Sequence, residues 1–218
     1  MRKTDVKRTT KETSISCTIN LDGTGQSSVN TGVGFFDQML EIFSHHSLID
    51  LRLEAVGDSH VDFHHTIEDS GYVIAEAITK ALSDKRGIRR YGFFYVPMDE
   101  CLSRCVIDFS GRPELVWNVD FSIKKIGEMD TELFEEFFKA FTNESKCNLH
   151  IENIYGKNNH HIIESCFKAF AKSVRVSIEI DNRIKNIIPS SKYMYLLWPV
   201  GFTDNTPGSQ PIVPKTLS

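Results

Sequence analysis

The chain has 218 residues, a formal charge of −4 and lysines and arginines scattered along its length. That is enough for one large domain or two small ones with an ordinary core, and it offers no basic stripe for nucleic acid or an anionic membrane. Five cysteines without a Cys-x-x-Cys pattern suit a reducing, cytoplasmic compartment better than a disulfide framework. The N-terminus "MRKTDVKRTTKETS" has no apolar signal region, and no run approaches the roughly 18 apolar residues of a membrane span. A soluble protein with a small-molecule partner is expected.

Residues 13 to 32, "TSISCTINLDGTGQSSVNTG", alternate around an Asp-Gly turn and predict a half-buried β-hairpin. "FFDQMLEIFSHH" (35 to 46) places Phe35, Phe36, Met39, Leu40 and Phe43 at helical spacing. Residues 48 to 58 alternate again and close at Gly57-Asp58. From His64, "HHTIEDSGYVIAEAITKAL" predicts a helix, although Gly71 is costly inside one. The stretch 83 to 100 reads as a link. A similar order follows: strand, Ser-Gly turn and strand over 104 to 121, a helix over 131 to 141, alternation over 147 to 155, a "GKNN" turn, and a closing helix from His160.

The chain therefore reads as a tandem duplication, with about 96 residues between its two His-His pairs. The order of elements predicts an α+β fold with two antiparallel sheets backed by helices. The first repeat spans 1–98 and the second 99–192. Each pair is followed by a glutamate, in "HHTIED" and "HHIIES". On a helix His64 and Glu68 share a face, while His65 projects about 100° away; His160, Glu164 and His161 repeat the pattern. One ion cannot easily be served by both rings of a pair. If the two helices face each other, one site collects His64, Glu68 and His161, and a second collects His160, Glu164 and His65. Mixed nitrogen and carboxylate ligands suit manganese, zinc or iron better than magnesium or calcium.

"GFFDQML", "GDSHVDFHHTIED", "RRYG", "VPMDE", "DFSGRP", "YGKNNHHIIESCFKAFAKSVRVSIEID" and "IPSSK" resemble, in that order, the imidazoleglycerol-phosphate dehydratase family of histidine biosynthesis. The likeness covers residues 7 to 192. It implies a ribosomal protein S5 domain 2-like duplication, trimers assembled into a homo-oligomer of 24 subunits, two manganese ions per active site at subunit interfaces, and loss of water from imidazole glycerol phosphate to give imidazole acetol phosphate. It assigns His64, Glu68 and His161 to one ion and His65, His160 and Glu164 to the other. It also implies one further ligand for each ion, and there the chain departs from the pattern: Gln38 and Glu136 stand where relatives carry histidine, and Phe63 replaces an aspartate.

The resemblance further implies Glu12 as the acid/base; without it, Glu12 reads as an ordinary strand glutamate. Because the substrate has no carbonyl beside the departing proton, its imidazole must take up electron density as the C–O bond breaks, which a Lewis acid on a ring nitrogen favours. A carboxylate can move the carbon-bound proton. For the phosphate the resemblance implies Arg90, Arg112, Ser190, Ser191 and Lys192, and it places His46 near the substrate. Arginines suit that end because of their planar donors. Residues 193–218 extend beyond the family pattern, and "YMYLLWPVGF" is apolar enough to pack on a neighbouring subunit. The replacements at Gln38, Phe63 and Glu136 leave open an alternative: a non-catalytic relative that keeps the shell and a weakened metal site.

Overall fold

The computed structural model describes residues 2–190. Two similar sheets are formed. In the first, β1 (Lys3–Thr9), β2 (Thr13–Asn20), β3 (Ser27–Asn30) and β4 (Asp50–Gly57) lie in the order β1-β2-β4-β3. In the second, β5 (Tyr91–Met98), β6 (Cys101–Asp108), β7 (Glu114–Asn118) and β10 (Asn148–Tyr155) lie in the order β5-β6-β10-β7. A small ribbon, β8 (Lys125–Ile126) with β9 (Met129–Asp130), precedes the third helix.

The α+β duplication expected from the sequence is present, with three corrections. The strands at 13–20 and 27–30 do not pair with each other, because β4 inserts between them; β2 pairs with β1 instead. Each sheet is therefore mixed, with β3 parallel to β4 and β7 parallel to β10. An Asp-Gly turn after β2 indicated a reversal but not which strand would fill the gap. The stretch 83–100 is also more than a link. Its Phe93, Tyr95 and Pro97 alternate outward from β5, which pairs with β6. The change from one sheet to the other thus falls between Leu82 and Tyr91, ahead of the division at residue 98.

Four helices lie against the inner faces of the sheets: α1 (Gly34–Ser47), α2 (His64–Leu82), α3 (Leu133–Ser145) and α4 (Asn159–Ile178). Helix α2 covers β1, β2 and β4, and α4 covers β5, β6 and β10; α1 packs on α4 and α3 on α2. Gly71 is the residue that lets the last pair close, since a Cβ there would stand 2.6 Å from the Phe137 carbonyl oxygen. The local cost of a glycine in mid-helix is offset by that close approach. Phe43 stacks on Phe170 at 5.2 Å, Phe137 on Phe167 at 5.6 Å, and Phe36 meets Phe137 edge-on at 5.3 Å. These rings are buried and join the helices into one core. Near the helix starts, Phe35 meets His160 at 5.0 Å and Phe134 at 6.0 Å. Since His64 of α2 also lies beside Glu136 of α3, all four helices begin at the same end of the molecule.

Candidate active site

The shared end holds the histidine pairs. In α4 the side chain of Asn158 caps the helix, accepting from the backbone N–H groups of His160 and His161. In α2 the His64 N–H donates to Asp62 at 2.8 Å. Both contacts satisfy helix-end donors and fix the first turn, where the rings must be aimed. Nε2 of His160 and Oε2 of Glu164 converge to 3.1 Å, the i, i+4 approach expected from the spacing. Lys168 holds the other oxygen of Glu164 at 2.7 Å. Burial pushes the Glu164 carboxyl up, but Lys168 and His160 outweigh it and hold it below its ordinary range.

On α2, His64 and Glu68 are joined by Glu136 of α3, and one ligating atom from each lies within 4.8 Å of the others. Glu136, expected as a ligand only from the resemblance, thus stands beside His64 and Glu68, with Lys139 3.5 Å away on its own helix. Gln38 is exposed and one helical turn beyond Phe35, whose ring meets His160, which places it on the side of α1 turned to α4. The sequence partition differs from this arrangement. Within one chain, among the described residues, His161 does not join His64 and Glu68 in a ligating cluster, nor does His65 join His160 and Glu164. The packed pairs are α2 with α3 and α4 with α1, so α2 and α4 do not supply facing ligands from a single chain.

His65 and His161 instead find carboxylates. Nδ1 of His65 lies 3.0 Å from Asp58, and Nδ1 of His161 lies 2.8 Å from Glu100. Both imidazoles are raised above their ordinary pKa, chiefly by these hydrogen bonds; Glu100 is correspondingly held well below the usual carboxylate range. Glu100, Cys101 and His161 form a second group of potential ligands, at the edge of a cleft of ≈ 640 Å³ that also runs along Lys157, Asn159, His160 and Ile126. Neither Asp58 nor Glu100 was singled out from the sequence. Glu100 ends the stretch 83–100, whose composition suggests a link, and that hides its role in the sequence.

Glu12 is exposed in the β1–β2 turn and near enough to His65 to raise its pKa. It stands at the histidine end. His46, near the end of α1, is pushed down by burial and then by the charges of His45, Lys168 and Lys172, which places it beside α4. Phe63, where the sequence lacks an aspartate, is half-buried against the core.

The residues expected at a phosphate gather elsewhere. Arg90 has a left-handed backbone (φ 71), an uncommon conformation for a side-chain-bearing residue. It is held by a two-pronged pair with Asp108 at 2.6 and 3.0 Å and by donation to the Pro189 carbonyl at 2.9 Å. Asp108 leads into the loop of Arg112, and Pro189 precedes Ser190, so three distant segments meet. The Asp108 bonds raise the Arg90 pKa further, and the guanidinium stays charged. This cluster sits at the last residue of β6, whereas Glu100 and His161 sit at its first. Eight residues at about 3.3 Å each put roughly 23 Å between them. Ser191, Lys192 and the extension 193–218 lie outside the described residues.

Residues 31–174 match the family described as imidazoleglycerol-phosphate dehydratase. The chain is 53% identical to the imidazoleglycerol-phosphate dehydratase of Hahella chejuensis, across 88% of this chain and 97% of that protein. It is 52% identical to that of Cereibacter sphaeroides, across 89% of this chain and 100% of the relative. Among solved structures, imidazoleglycerol-phosphate dehydratase from Staphylococcus aureus superposes with a TM-score of 0.74 at 41% identity, covering 81% of this chain and 98% of that one. The enzyme from Pyrococcus furiosus gives 0.71 at 31% identity, covering 83% and 97%.

Proposed function

The chain belongs to the imidazoleglycerol-phosphate dehydratase family and is a hydro-lyase of histidine biosynthesis, and on that premise we propose that it works with two manganese ions and a site completed by neighbouring copies of itself. The observation that carries the metal reading is the convergence of His64, Glu68 and Glu136 from two helices within 4.8 Å. Imidazole and carboxylate donors in that proportion fit manganese. The corresponding half-site on α4 and α1 offers His160, Glu164 and Gln38. The remaining rings, His65 and His161, would reach ions held mainly by another copy, which keeps the ligand sets of the resemblance and its sites at subunit interfaces.

Bound manganese supplies Lewis acidity at the substrate's imidazole. Glu12 takes the carbon-bound proton and assists departure of the hydroxyl, as a carboxylate at the histidine end can. Arg90, Arg112 and Ser190, with Ser191 and Lys192, hold the phosphate by charge-assisted hydrogen bonds, and His46 borders the substrate.

Assembly is supported by distance. A three-carbon chain between imidazole and phosphate is far shorter than the roughly 23 Å separating the two clusters along β6, so one chain cannot apply both to one substrate. The outward face of the second sheet also exposes Tyr91, Phe93 and Tyr95, with Phe93 68% accessible; exposed apolar surface of this kind marks association sites. A homo-oligomer built from trimers, with 24 subunits, is the assembly we infer. No helix among the described residues is long and apolar enough to cross a membrane, and all five cysteines are unpaired and buried, which supports a cytoplasmic setting.

The test is to purify the full chain, count manganese per subunit, and follow dehydration before and after chelation. Loss of turnover on chelation, restored by manganese, is expected. Turnover indifferent to chelation overturns the metal reading, and full activity in a dilute monomer overturns the shared site.

A further inference from the structure

We propose that Glu100 is a positioning residue that fixes His161 in one tautomer, with the proton on Nδ1 and the lone pair of Nε2 presented to a cation. This rests on the metal-dependent reading above and adds a residue to it. The two oxygens of Glu100 have separate tasks. Oε1 accepts the backbone N–H of Asn158 at 2.8 Å and of Lys157 at 3.3 Å, tying the β5–β6 turn to the loop before α4. Oε2 lies 2.8 Å from His161 Nδ1. An ionised carboxylate only accepts, so Nδ1 is the donor; Nε2 lies 3.8 Å from Asp99 Oδ2, beyond hydrogen-bond reach, and in the neutral ring it carries the lone pair. Outer partners of this kind set the orientation and basicity of a ligating ring.

The duplication shows how specific the assignment is. Glu12 immediately precedes β2 as Glu100 immediately precedes β6, so the two glutamates occupy matching turns. Yet the ring equivalent to His161, His65, takes its carboxylate from Asp58, on the β4–α2 loop. One turn glutamate is committed to a ring and a loop; its counterpart is released from that duty and can serve the reaction.

Replacing Glu100 with glutamine leaves one oxygen where two are needed. If that oxygen keeps the Asn158 N–H, the amide NH₂ faces His161 Nδ1, which must then accept, and the proton moves to Nε2. In the assembled full chain, nitrogen-15 NMR of labelled histidines is expected to show His161 as the Nδ1–H form in the wild type and the Nε2–H form in Glu100→Gln. Competition titration should show manganese binding weakened on the order of 10- to 100-fold, with the thermal midpoint little changed. An Nε2–H form in the wild type overturns the proposal without any variant. So does wild-type manganese affinity in a folded Glu100→Gln. Absence of manganese binding in the wild type would sink the metal reading, while the tautomer measurement would still decide the role of Glu100.

Discussion

The two halves share a backbone plan and the placing of their His-His pairs and glutamates, and differ in many of the polar details laid around them. At the first residue of the strand that precedes each histidine helix stands Asp50 in one half and Asn148 in the other. Asp50 accepts N–H groups from Thr24, Gly25 and Gln26; Asn148 donates to the Arg112 carbonyl at 2.8 Å. One turn into each helix, Asp69 accepts from Thr13 and pairs with Arg8 at 3.0 Å, where Ser165 meets Ser103 at 2.7 Å. The outward faces diverge too: Lys3, Asp5, Lys7, Ser14 and Ser16 on the first sheet, Tyr91, Phe93, Tyr95 and Val106 on the second. Duplication preserves what packing requires. It leaves the choice of charge free wherever a turn, a face or a ligand position tolerates more than one donor set.

The sharpest way to break this picture is at the paired turn glutamates. Glu12→Gln is expected to lower turnover on the order of 10²- to 10⁴-fold with manganese affinity unchanged, the opposite split from Glu100→Gln; steady-state rates and metal titration on the same preparation check it. Next, Phe137→Ala should cost about 3–5 kcal/mol, because its buried ring joins α3 to both α1 and α4. Denaturant unfolding reads this directly, and a loss under about 1 kcal/mol would mean that the halves fold independently of that contact.

The ligand positions come third. Glu136→Ala should weaken manganese binding about tenfold or more, and Gln38→Ala by less than about threefold, since a neutral carbonyl holds a cation weakly. Equal losses would erase the contrast between the half-sites. Smallest is a pH effect. Burial pushes the Asp50 carboxyl up, but hydrogen bonds from Gln26, Thr24, Asn20 and Gly25 outweigh it and hold it below its ordinary value. A group depressed on folding contributes stability that is fully present above its unfolded pKa and lost as pH falls through the folded one. Asp50→Asn should therefore cost about 1–3 kcal/mol at neutral pH and flatten the acid limb of the stability profile below about pH 4. Asn148→Asp should not reproduce that limb.

Much of this architecture was legible in the chain. Helices α1, α2, α3 and α4 and strands β4 and β10 followed from apolar period, and the i, i+4 approach of His160 to Glu164 followed from helix geometry alone. What escaped is non-local. Whether β2 pairs with β3 or with β4 depends on a strand some twenty residues further on, and period-2 alternation is blind to partners. β1 and β5 escaped because both are edge strands with charged or aromatic outward faces. Asp58 and Glu100 escaped because an orienting carboxylate needs only to end near a ring, a condition that many loop acids meet on paper. The partition of six residues into two sets came from the angle between neighbouring side chains on a helix. It needs the two helices to face each other, and inside one chain the core packs α2 on α3 and α4 on α1, so that meeting falls to helices of different subunits, where the resemblance puts the ions.

The common end of the four helices has an electrostatic price. Each helix start carries about half a positive charge from its aligned peptide dipoles, and four starts gathered together make an inhospitable place for divalent cations. Neutral rings alone could not offset that field. Glu12, Asp58, Glu68, Glu100, Glu136 and Glu164 stand at that end, and their negative charge counters the field of the helix starts, as any cation proposed there would require.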